Sequence, residues 1–197
     1  MREYRARIIR PEDRVNNMDI TQIDKINSAK FFNDNKFSSL NNLLIDICKE
    51  VFKEAYRKNG REAGAVINLD TLDYTYKKAA LYDRVSFEQC NEDNGCYEIL
   101  HNATKCSCVT IHTHNDISYF SVSDIISLIS DIKVRAIVVI TSAADVYVLC
   151  ADNVKNYKTV RDYIDNMLED FITPELRGVM EDNGLVIRRI TQWWKQI

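Results

Sequence analysis

From Ser38 onward, apolar residues recur at helical spacing: Leu40, Leu43, Leu44, Ile47, Val51 and Ala55. That stripe predicts an amphipathic helix over 38–58. Asn59-Gly60 predicts its stop, because glycine accepts the left-handed cap. The rhythm then changes. Residues 63–69 form a short apolar run, 72–82 carry Tyr74 and Tyr76 in alternation, and 85–90 form a third short run. Each reads as a strand. Residues 91–95, Asn-Glu-Asp-Asn-Gly, read as a turn or loop. Residues 97–100 fit either a short strand or a helical turn. Residues 105–113 alternate and become β-branched near their end, so they read as a strand.

Val122, Ile125, Ile126, Ile129 and Ile132 mark the next helix. Strands follow at 135–141 and 146–151, around the turn Ser142-Ala143-Ala144-Asp145. Tyr157, Val160, Ile164, Met167, Leu168 and Phe171 mark a long helix, and Leu176, Val179 and Met180 a short one ending near Gly184. Residues 185–190 read as a last strand. Alternating strands and helices predict an α/β fold: a three-layer domain with a central mixed β-sheet flanked by helices. Helix 38–58 is expected on one face and helix 121–132 on the other. Strand 135–141 is expected in the interior, because its β-branched run is nearly continuous. Residues 1–36 are polar and weakly periodic, so they read as an N-terminal arm ahead of a single domain over 37–197.

Composition narrows the class. The chain has 197 residues, and its 26 Lys+Arg against 29 Asp+Glu leave a formal charge of -3. This balance argues against a dedicated nucleic-acid binder. The N-terminus, MREYRARIIRPEDR, lacks the apolar core of a signal peptide. No apolar run approaches the ~20 residues of a membrane helix. A cytoplasmic protein with no membrane partner is expected, and its six cysteines are expected to be thiols. Cys90, Cys96, Cys106 and Cys108 lack the paired C-x2-C knuckle of a structural zinc site. Cys106 and Cys108 read instead as small buried residues on one face of a strand.

The candidate chemistry lies at the end of strand 105–113. His112 and His114 are two apart, so on a strand their imidazoles share a side. Ten residues past His114 stands Asp124, in the first turn of the next helix. A strand end feeding a helix start can return that carboxylate to the two imidazoles. Three N/O ligands on a tetrahedral Zn2+ leave a position open for water, the pattern of a catalytic site. Ser121 and Asp124 also form a capping box, Ser at the N-cap and an acid three residues on.

The run Val109-Thr110-Ile111-His112-Thr113-His114, six intervening residues, Ser121-Val122-Ser123-Asp124, an apolar helix and the strand Arg135 to Ile140 resembles the JAB/MPN (JAMM) metalloprotease family. That family carries an early Glu, then His-Ser/Thr-His, seven residues, Ser, two residues and Asp. The resemblance spans about residues 38–151. It departs at Asn115, where the family usually has Pro, and in the connection to Ser121, which is one residue shorter. It implies a cytidine-deaminase-like layered architecture and Zn2+ held by His112, His114 and Asp124. Glu62, just ahead of the small-residue strand, is implied as general base, with Glu54, Glu88 and Glu98 as substitutes. Ser121 is implied as the donor to a developing oxyanion, with Ser123 and Ser118 as alternatives. The implied reaction is hydrolysis of a peptide or isopeptide bond in a protein or peptide substrate, such as a ubiquitin-like or sulfur-carrier-like conjugate.

Other readings fit less well. A PHP-like or amidohydrolase site needs further His ligands, and only His101 remains. The His-x-Glu and Pro-Cys-x-x-Cys signature of a zinc deaminase is absent. A catalytically inactive JAB/MPN-like scaffold or protein-binding module is the main alternative, since a fold does not fix a function. Trp193-Trp194 reads as a C-terminal anchor on the core, or as a contact for a partner.

Overall fold

A computed structural model describes residues 15–77, 87, 95–151, 157–167 and 171–191. Helix α1 spans Ser38–Arg57, and strands β1 and β2 span Gly64–Asn68 and Tyr74–Lys77. Helix α2 covers Gly95–Asn102, β3 Cys108–Thr113, α3 Val122–Ser130, β4 Val134–Ile140 and β5 Val146–Ala151. Helices α4 (Tyr157–Asp165) and α5 (Pro174–Asp182) precede β6 (Leu185–Arg189). The strands form one six-stranded sheet in the order β2-β1-β3-β4-β5-β6. β3 and β4 run parallel, joined through α3, and the other neighbours are antiparallel. The α/β class and the mixed central sheet are as the sequence predicts.

Strand alternation divides the core into two layers. Ala65, Ile67, Val109, Ile111, Val138 and Ile140 face α1, which contributes Leu44, Ile47, Cys48, Val51, Phe52 and Ala55. Val66, Cys108, Ile137, Val139 and Leu149 face the other way, toward Ile125 and Leu128 of α3 and toward α4 and α5. The two helices therefore lie on opposite faces. β4 lies inside the sheet, with every residue but Arg135 buried.

Several boundaries move, for local reasons. The strand expected over 105–113 begins at Cys108. Cys106 takes a left-handed φ of 55° and bonds through its N–H to Ile132 O, so it belongs to a turn and not to the strand face of Cys108. Residues 97–100 are helical, within α2. The helix marked by Tyr157 and Val160 ends at Asp165, where Asn166 Nδ2 bonds back to Asp162 O. Phe171, taken as its last apolar position, is exposed. Residues 78–82, the Trp193-Trp194 pair and the strand expected over 85–90, including Glu88 and Cys90 but not Phe87, lie outside the described residues.

The N-terminal arm joins the core from Met18 onward. A 3-10 helix over Ile20–Ser28 packs on α1, and Met18, Ile26 and Ala29 are buried in the α1 layer. Asp19 N–H bonds to Ser142 O, and Lys25 Nζ donates to Ala143 O. These bonds tie the helix to the β4–β5 turn. No helix among the described residues is long and apolar enough to cross a membrane.

Candidate metal centre

β3 carries His112 and His114 to the edge of the α3 layer. His112 is paired in register with Gly64 of β1 on one side and Val139 of β4 on the other, and it is buried. Thr113, between the histidines, points to the opposite face. There its Oγ1 accepts from Ala63 N–H at 3.1 Å, and its own N–H donates to Ala63 O at 3.0 Å. These bonds lock the strand end and leave the imidazoles on the α3 side.

α3 delivers the carboxylate. Ser121 Oγ accepts from Asp124 N–H at 3.2 Å, while Asp124 Oδ2 accepts from Ser121 N–H at 2.7 Å. The capping box is thus complete. Ser121 Oγ also lies 2.7 Å from Asp124 Oδ2, to which it donates. One carboxylate oxygen is therefore fixed by the helix cap. The other, Oδ1, lies 3.1 Å from His112 Nε2.

The two Nε2 atoms are 3.1 Å apart, and His114 Nε2 is 3.7 Å from Asp124 Oδ2. One ligand atom from each of His112, His114 and Asp124 falls within 4.8 Å of the others, so this group could hold a metal ion. Two ligands at ~2.0–2.1 Å from a tetrahedral zinc lie about 3.3 Å apart. The observed separations bracket that value, so the donor set is compatible with zinc. Each side chain is at most 13% exposed.

The electrostatics fit a cation. Burial opposes charge on His112, yet the adjacent Asp124 carboxylate, its hydrogen bond and the charge of Glu62 together raise the His112 pKa above its ordinary value. Burial and the neighbouring His112 lower that of His114. Burial works against the Asp124 carboxylate, but the two imidazoles and the Ser121 N–H hold its pKa well below the usual range. The carboxylate is ionised, and positive charge beside it is favoured.

Glu62 is half-buried, just ahead of β1. The Ala63–Thr113 bonds place it one residue beyond that pair, level with His114 on the neighbouring strand. Its charge reaches His112. Glu54 lies on α1, against the opposite face of the sheet, and Glu98 is exposed on α2. Among the candidate serines, Ser121 touches Asp124, Ser123 is exposed, and Ser118 lies against His114 Nδ1. Cys108 is buried in β3, four residues before His112, and burial raises its thiol pKa. It packs against the α3 layer and is not in the ligand group. The sequence reading overlooked Asp116, which binds Ser118. Its only advance signal was the Asp-x-Ser spacing of a side-chain turn. Compared with protein-family models, curated proteins and solved structures, the chain matches none.

Proposed function

We propose that the protein is a zinc-dependent hydrolase of peptide or isopeptide bonds, of the JAB/MPN kind that its motif resembles. The observation that carries this reading is the convergence of His112, His114 and Asp124 within 4.8 Å, with Glu62 at the neighbouring strand end. His112, His114 and Asp124 would hold the zinc, which would supply Lewis acidity to polarise a carbonyl and make water a nucleophile near neutral pH. Glu62 takes up the proton of the attacking water and returns it to the leaving amine, as a general acid–base residue does. Ser121 fixes Asp124 through its N–H and hydroxyl, and to serve as the oxyanion donor that the resemblance implies, the hydroxyl turns its hydrogen from Asp124 to the substrate. The buried strand pairing around His112 limits the access of bulk water. The proposed substrate is a protein or peptide, including ubiquitin-like or sulfur-carrier-like conjugates.

Metal analysis of the purified protein, followed by assay on peptide and isopeptide substrates, tests this reading. Glu62→Gln should keep the metal and lose hydrolysis, because an amide cannot accept the proton. His112→Ala should lose both. Undiminished cleavage by Glu62→Gln would remove Glu62 as the base. One observation favours the alternative, a metal-binding scaffold without hydrolysis: the Ser121 hydroxyl is already directed at Asp124. Zinc bound at one ion per chain with no cleavage would support that alternative.

A further inference from the structure

The six residues between His114 and Ser121 form more than a short link. His114 Nδ1 lies 3.2 Å from Ser118 O and 3.2 Å from Ser118 Oγ. Asp116 Oδ1 accepts from Ser118 N–H at 2.8 Å and also from the Ser118 hydroxyl. Asp116 O accepts from Ser142 N–H at 2.8 Å, which ties the turn to the end of β4. Beyond it, Tyr119 stacks on Tyr147 of β5 with centroids 5.4 Å apart, and Phe120 is buried. Both ends of the turn are thus anchored to the sheet.

We propose that Asp116 and Ser118 are positioning residues for His114: Asp116 orients Ser118, and Ser118 selects the ring tautomer that leaves Nε2 bare for a metal. This inference rests on the metal-site reading. A carbonyl oxygen can only accept, so the Nδ1 facing Ser118 O carries the proton. The Ser118 hydroxyl spends its hydrogen on Asp116 and turns a lone pair to the ring. Both oxygens therefore call for the same tautomer, and in the neutral ring Nε2 is unprotonated. A carboxylate–hydroxyl–imidazole chain of this kind fixes ring orientation and increases ligand basicity. It also assigns Ser118 a place at Nδ1, on the ring edge away from the ligating nitrogen, and so removes it from the oxyanion candidates. Asp116 and Ser118 are both exposed, where water could satisfy them separately, yet the Asp116 carboxylate engages Ser118 and the Ser118 hydroxyl engages the ring.

The test uses the full chain and two readouts. Long-range 15N–1H spectra of the metal-free protein report the His114 tautomer, and chelator competition reports zinc affinity. The parent should show His114 protonated at Nδ1. Ser118→Ala and Asp116→Ala should weaken zinc binding ~10–100-fold, the usual scale for such partners, and should mix the tautomers. Ser118→Thr and Asp116→Asn keep the hydroxyl and an acceptor, and should stay close to the parent in both readouts. A parent spectrum with His114 protonated at Nε2 would overturn the proposal. Unchanged tautomer and affinity in both alanine variants would do the same. Should the parent bind no zinc, the metal reading fails, while the tautomer of the metal-free protein still decides this proposal.

Discussion

Asn17 grips Asn115 twice: its backbone N–H donates to Asn115 Oδ1 and its Nδ2 to Asn115 O, each at 3.0 Å. Asn115 Nδ2 completes the clasp by donating to Val15 O, also at 3.0 Å. The residue that directly follows His114 therefore fastens chain that lies 98 to 100 positions away. A proline at 115, as in the JAB/MPN pattern, has no side-chain amide and could not make this clasp. Asn115→Ala is expected to cost about 1–3 kcal/mol, since each bond is worth ~0.5–1.5 kcal/mol net. The melting temperature should fall by ~2–4 °C per kcal/mol for a chain of this size. An unchanged melting curve, with no faster proteolysis near residues 15–17, would show the clasp to be energetically idle.

Gly60 lies beneath the same clasp. Its φ is 76°, and a Cβ built there would collide with Asn115 Oδ1, with Asn115 Cγ at 2.7 Å. The Asn115 amide cannot swing aside without giving up its bonds to Val15 and Asn17. Gly60→Ala thus meets a left-handed backbone, costing about 1–2 kcal/mol, and a steric conflict. It should destabilise more than Gly178→Ala, where the added Cβ in α5 meets nothing within 4 Å. Parallel chemical denaturation of the two variants would check the order.

Zinc should stabilise the native chain against heat. At a free concentration 100 times Kd the gain is about 2.7 kcal/mol, and a chelator should reverse it. His112→Ala and Asp124→Ala should abolish the shift, whereas Cys108→Ala should leave it intact. A zinc-dependent shift that survives both ligand substitutions would place the ion elsewhere.

The pH dependence of zinc binding follows from the directions of the shifts. The His112 pKa is raised, so just above pH ~6.5 part of the population carries a proton on His112 that a metal must displace. The His114 and Asp124 pKa values are lowered, so both ligands are already deprotonated in that window. As pH falls through the His112 pKa, zinc affinity should therefore drop with a slope approaching one ligand proton per ion. At mildly alkaline pH this contribution should vanish. Calorimetry in buffers of different ionisation enthalpy measures the proton count; a slope near two at pH 6.5 would contradict the His114 assignment.

The strongly periodic parts of the fold were legible in the sequence. The stripe from Leu40 to Ala55 and the run from Ala136 to Ile140 carry one signal each, and both elements lie where that signal puts them. His112, His114 and Asp124 were legible because strand parity and a capping box each act over a few residues. What escaped depends on distant partners. Met18 and Ile26 look like isolated apolar residues in a polar arm, and only α1 and the β4–β5 turn give them a core. Asn115 reads as a mere departure from a motif until residues 15–17 lie beside it. Cys106 seemed to continue the alternation of β3, but its backbone turns away before the strand begins.

The three residues that could hold a metal fall between positions 112 and 124, in one passage from β3 into α3, whereas Glu62 lies just ahead of β1, 50 residues upstream of His112. Under the proposed function, metal capture is thus a local property of one contiguous stretch, and the Glu62 base reaches it only by long-range strand pairing. Closing a loop of that length carries its own entropic cost. On the proposed reading, substitution of Glu62 alone would remove the base while leaving His112, His114 and Asp124 together. Under the proposed function, a single position therefore separates a hydrolase from an inert metal binder.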